Sequence, residues 1–107
     1  MFEVKSKLRE VSGETVQTYE REVFDACILA VEAGTNGLHG GDSGHGSRTY
    51  LRIENSEGTD IRAALLGFCG GDGFEVWLGG DAELRSFVKA LKFAVKVLED
   101  RVNGVDD

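Results

Sequence analysis

The sequence predicts an α+β fold: an antiparallel β-meander with one long C-terminal helix packed on one face. Three features carry that expectation. Residues 47–54 alternate between apolar and polar, clusters of Gly, Asn, Asp and Ser separate the apolar runs, and a helical apolar stripe runs from Leu84 to Val102. The chain has 107 residues, 41% of them hydrophobic and 29% charged. It therefore reads as a single domain, residues 1–107, with one core.

The elements follow in order. Residues 2–11 alternate through Phe2, Val4 and Leu8 and read as a strand, and the polar stretch 12–21 reads as a turn and a second strand. Residues 22–33 (EVFDACILAVEA) are the most apolar block of the first half. They read as one strand, with a helix as the rival because Ala26, Ala30 and Ala33 suit either. In residues 47–54 (SRTYLRIE), Thr49, Leu51 and Ile53 share one face, and Arg48, Tyr50, Arg52 and Glu54 the other. NSEG at 55–58 is a turn, 59–68 resumes as a hairpin partner, CGGDG at 69–73 turns again, and 74–78 is a short strand. Asp81 then caps a helix over 82–101, whose stripe is Leu84, Phe87, Val88, Leu91, Val95, Leu98 and Val102. Phe93 and Val97 lie off that stripe and suggest that a second surface, or a second subunit, grips the helix. One helix leaves much of a sheet uncovered, so a homo-oligomer is expected, formed through the Arg48–Tyr50–Arg52 face or a sheet edge.

Charge narrows the partners. The net charge is −7 and the basic residues are scattered, which disfavours nucleic acid. The two cysteines, Cys27 and Cys69, have no metal spacing and read as buried thiols of a reducing compartment. No stretch approaches roughly 18 apolar residues, so no membrane span is expected and the chain reads as cytoplasmic.

Gly34–Arg48 (GTNGLHGGDSGHGSR) is the place to look for chemistry, since it holds six of the fifteen glycines and both histidines. A long unstructured loop between strands is usually functional. GDSG at 41–44 resembles the nucleophile segment of chymotrypsin-like proteases, but the chain is half the size that mechanism needs and both histidines lie within the loop itself. His39, Asp42 and His45 have spacing that could hold a divalent ion; the plainer reading is one histidine bridging loop backbone and the other solvated. Successive Gly turns make amide nests that bind anions. Arg48 stands at the exit, and Thr35, Asn36, Ser43 and Ser47 are neutral hydrogen-bonding partners. The pattern is not a P-loop, because a strand follows Arg48. Arg48, Tyr50 and Arg52, with Arg62 opposite, could clamp a nucleotide, the commoner outcome being cross-strand ion pairs to Glu54 and Asp60. Gly-Gly-Asp recurs at 40–42, 70–72 and 79–81, which turn chemistry alone explains.

The block VEAGTNGLHGGDSGHGSRTYLRIEN, a later TD pair, a second GGD and the helix LKFAVKVLED resemble a set of small uncharacterised bacterial and phage proteins, over roughly residues 22–100. The resemblance brings no catalytic residues. By size, genome context and pocket chemistry it is analogous to phage anti-defence sponges, which sequester cyclic or ADP-ribose-derived immune signals. The leading expectation is thus a non-enzymatic, cofactor-free homo-oligomer that encloses a small phosphate-bearing or nucleotide-like ligand. The loop would do this with Thr35, Asn36, His39, Asp42, Ser43, His45, Ser47, Arg48, Tyr50, Arg52 and Arg62. The alternatives are a protein-interaction or inhibitor module acting through the loop, and a metal-dependent hydrolase using His39, Asp42 and His45.

Overall fold

Ser12 and Gly13 both take positive φ, 49° and 83°, as a two-residue primed hairpin turn requires. They join β1 (Lys5–Val11) to β2 (Glu14–Asp25). The computed structural model describes residues 4–25, 27–58, 61, 63–65, 68–71 and 73–106. Arg62 and the 59–60 pair lie outside the described residues, as do the side chains of Cys27 and Cys69. After β2 come β3 (Cys27–Thr35), β4 (Arg48–Glu57), the short β5 (Ala63–Leu65) and β6 (Phe68–Gly70), β7 (Gly73–Gly79) and α1 (Asp81–Asp106). The main sheet is antiparallel in the order β1-β2-β3-β4-β7, and β5 pairs with β6 in a separate two-stranded sheet. This is the α+β class with a single long helix that the sequence predicts.

Two assignments change. The apolar block 22–33 is not one strand: Asp25 pairs with Cys27 and Val23 with Leu29, so the chain reverses inside it. Apolar composition marks buried strand but not where a strand folds back. The described residues of 59–68 do not pair with β4, which continues to Glu57 and pairs instead with β7, from Arg48↔Gly79 to Glu54↔Gly73. Alternation identifies a strand without naming its neighbour.

The sheet curls. Its register sets Arg9, Val16, Thr18, Glu32, Tyr50 and Arg52 on one side, and the β1–β2 hairpin closes over β4 on that side. The Arg9 guanidinium lies 5.0 Å from the Tyr50 ring centroid, and Val11, Val16 and Tyr50 form the buried apolar cluster. The row Arg48–Tyr50–Arg52 therefore lines the inside of the curl, where Arg48 and Tyr50 are buried. It is not the open face expected for a dimer contact. On the convex side Leu8, Tyr19, Val23 and Phe74 are exposed.

The helix covers less of the sheet than its length allows. Ala82, Glu83, Ser86, Phe87 and Ala90 line a cleft with Leu78 of β7. Beyond that first stretch the apolar stripe stands open, with Leu98 67% exposed.

Candidate functional site

The loop between β3 and β4 is tied at both ends by Asn36. Its N–H donates to the Arg48 carbonyl at 3.1 Å, its Oδ1 accepts from the Arg48 N–H at 2.7 Å, and its Nδ2 donates to Glu14 at 3.0 Å. Thr35 adds a second tie, accepting from the Gly37 N–H and from the Thr49 hydroxyl.

Between these ties the loop lies against the N-terminus of α1, and the two exchange partners. The Asp81 carboxylate accepts the N–H groups of Gly40 at 2.6 Å, Ser47 at 3.0 Å and His39 at 3.1 Å to each oxygen. Glu83 accepts from the Ser43 N–H at 3.0 Å and the Ser43 hydroxyl at 3.3 Å. In return Asp42 Oδ1 accepts the Ala82 N–H at 2.8 Å, and the Gly41 carbonyl accepts from Asp81 N–H at 2.6 Å. Asp81 was expected to cap its own helix. Instead its carboxylate turns to the loop, and the loop's Asp42 serves the helix amide, satisfying donors that a helix start leaves free. The Gly44 N–H donates to the Gly79 carbonyl and the Gly80 N–H to the Ser47 carbonyl, while the Ser47 hydroxyl donates to the Gly80 carbonyl.

Gly46 shows how tight the clasp is. Its φ is +77°, and an added Cβ would lie 2.4 Å from the Gly41 carbonyl oxygen and 2.8 Å from Asp81 Oδ1. Gly40, with a similar φ of +83°, has open space at the same point. Gly46→Ala is therefore expected to lower the melting temperature several-fold more than Gly40→Ala, since only the first adds a collision to backbone strain. Equal losses in thermal denaturation would mean the loop is not held in this shape.

The electrostatics follow from the same bonds. The His39 N–H, then those of Gly40 and Ser47, hold the Asp81 carboxyl down to about 2. The Ser43 N–H lowers Glu83. That makes Glu83 a weaker base for the Ser43 hydroxyl, the opposite of what nucleophile activation needs.

Several of the remaining candidates meet partners within the chain. The anion nest expected from the glycines is filled by the protein's own Asp81 and Glu83 carboxylates. Arg48 donates through Nη1 to the Gly46 and Ser47 carbonyls and lies 3.4 Å from Glu14, while its buried Nε has no hydrogen-bond partner among the described residues. The Tyr50 hydroxyl donates to Glu75 at 2.6 Å, with burial foremost and then Glu75 pushing its pKa up. Arg52 pairs with Glu54 at 2.8 Å, so the described members of the expected nucleotide clamp, Arg48, Tyr50 and Arg52, already meet neighbouring carboxylates or loop carbonyls, and Arg62 lies outside the described residues. His39 Nε2 meets the Asn36 carbonyl at 2.7 Å, and His45 is exposed. No group of three or more His, Cys, Asp or Glu residues suited to a metal ion occurs among the described residues. His39, Asp42 and His45 are thus near in sequence without forming a ligand set.

Sequence reasoning missed the part that Asp81 and Glu83 play in the loop. The one signal for it was the loop's surplus of N–H donors with no strand to receive them. Among the described residues no helix is long and apolar enough to cross a membrane. Comparison with known proteins finds no matching family model, curated protein or solved structure.

Proposed function

We propose that this chain is a non-enzymatic protein-binding module whose Gly34–Arg48 loop is a fixed element that inserts into a partner's cleft. The observation that carries this reading is the direction of the loop's donors. The amides of His39, Gly40, Ser43 and Ser47 point inward at carboxylates of α1. What the loop offers outward is side chains, led by Leu38 at 58% exposure, with His39 and His45 also exposed. A loop already ordered loses little freedom on binding. The net charge of −7 favours a partner whose cleft has a basic rim.

Sequestration of a phosphorylated signal, the role implied by the resemblance to small phage proteins, would require the guest to displace two carboxylates that hold the loop together. An anion cradle works best when its amides are free.

The test uses the chain as bait beside a Leu38→Asp/His45→Ala variant, with binding strength compared by titration. A stoichiometric protein partner held at least tenfold more tightly by the parent supports the proposal. Equal retention by both chains would overturn it. So would a clear rise in melting temperature with nucleotides or cyclic dinucleotides in the absence of any protein partner.

A further inference from the structure

The open stripe of α1 has a spacing of its own. Leu84, Val88, Leu91, Val95, Leu98 and Val102 recur at alternating steps of four and three, the seven-residue repeat of a coiled-coil seam. Every a position is Val (Val88, Val95, Val102) and every d position is Leu (Leu84, Leu91, Leu98). A β-branched residue at a with Leu at d is the combination that favours two parallel strands. The seam points away from β7, because the residues lining the β7 cleft (Glu83, Ser86, Phe87, Ala90) lie on another side of the helix. Val88, Leu91, Val95, Leu98 and Val102 are 39–67% exposed.

The chain as a whole leaves more surface open than a compact monomer of its size. The accessible area is 7812 Å², against about 5,800 Å² for a folded monomer of this mass. The radius of gyration is 15.4 Å, against about 13 Å for a compact chain of this length. The excess of about 2,000 Å² exceeds the ~800 Å² per partner that a stable interface buries.

The choice of Val at a and Leu at d selects the parallel orientation, and charge permits it. In a parallel pair, position g of one helix faces position e of the other five residues on. This sets Phe87 against Lys92 and Ala94 against Glu99, with no like charges opposed. An antiparallel pair that aligns Val88 with Leu98 would set Lys92 against Lys92 but Arg85 beside Glu99 twice, so the parallel orientation rests on Val at a and Leu at d rather than on charge. We infer that the protein is a homodimer joined through α1, with Leu84–Val102 of two copies forming a parallel, in-register two-stranded coiled coil.

The experiment has two arms on the full chain. Light scattering after gel filtration should give twice the chain mass for the parent and the single-chain mass for Leu91→Glu/Leu98→Glu, wherever the parent is dimeric. Val88→Cys should form a disulfide under mild oxidation that peptide mapping assigns to position 88 of both chains. An antiparallel pair would put those two positions about 15 Å apart along the axis. A monomeric parent overturns the inference, as does a dimer that persists in the double variant. A dimer without the 88–88 link also overturns it, since the stripe would then lie antiparallel or on the partner's sheet. The disulfide arm remains decisive if the double variant fails to fold.

Discussion

Asp81→Ala is expected to lower the melting temperature by about 10 °C or more and to release the Gly34–Arg48 loop. Asp81 is nearly inaccessible and accepts the N–H groups of His39, Gly40 and Ser47. Its removal leaves three donors without their acceptor, and the Ser47 N–H among them is buried, where an unpaired amide costs as much as the bond it has lost. Backbone amide exchange should show protection disappearing at those three positions first. A small change in melting temperature with protection intact would mean that the loop holds its shape without the carboxylate. The acid limb gives an independent check. Asp81 is held at about 2 when folded, against 3.8 as an ordinary carboxyl. Its contribution is therefore complete above about pH 4 and is lost as pH falls from there toward 2. Asp81→Asn should flatten that part of the stability profile without abolishing it, because Glu32 and Glu83 are also lowered when folded.

Glu32→Ala is expected to cost about 3 kcal/mol, read as a fall in the urea midpoint. Glu32 is only 1% exposed, the largest fully buried side chain among the described residues. It is held by a two-pronged Arg9 fork at 2.7 and 2.8 Å and by the Thr18 hydroxyl at 2.5 Å. Arg9 foremost, then Thr18, lowers its pKa against the opposing effect of burial. The fork links β1 to β3 across β2, so it fixes the curl that buries Val11, Val16 and Tyr50. Arg9 keeps a third of its side chain in solvent and can rehydrate when its partner is lost, which places the cost at the lower end for a broken buried pair. Replacing both as Arg9→Met/Glu32→Leu should recover most of the loss, because an apolar pair of similar size needs no desolvation. A single-variant loss under about 1 kcal/mol, or no recovery in the double variant, would show that the fork does not hold the curl.

Much of the fold was legible because strand and helix periods are local. Residues 48–54 alternate whatever lies beside them, and the Leu84–Val102 stripe has helical spacing on its own. The Ser12-Gly13 turn and the loop boundaries at Thr35 and Arg48 likewise follow from residue chemistry. The reversal inside 22–33 was not legible, since both arms of that hairpin are equally apolar. Nor was the β4–β7 pairing, which competes with a nearer strand. The Gly-rich segment lies between two strands, as its composition predicts, and its surplus of backbone donors is legible in its residues. Their acceptor is about forty residues away at the start of a helix, and no local pattern announces such a partner.

The sequence alone determined an antiparallel sheet, one amphipathic C-terminal helix and a glycine-rich loop between two strands, because each depends on neighbours a few positions apart. The tertiary structure decided that Arg48 and Tyr50 face inward and that the loop amides close on Asp81 and Glu83. It also decided that the helix seam is left open. These outcomes depend on the curl of the sheet and the placement of α1, which bring together residues that chain order keeps apart.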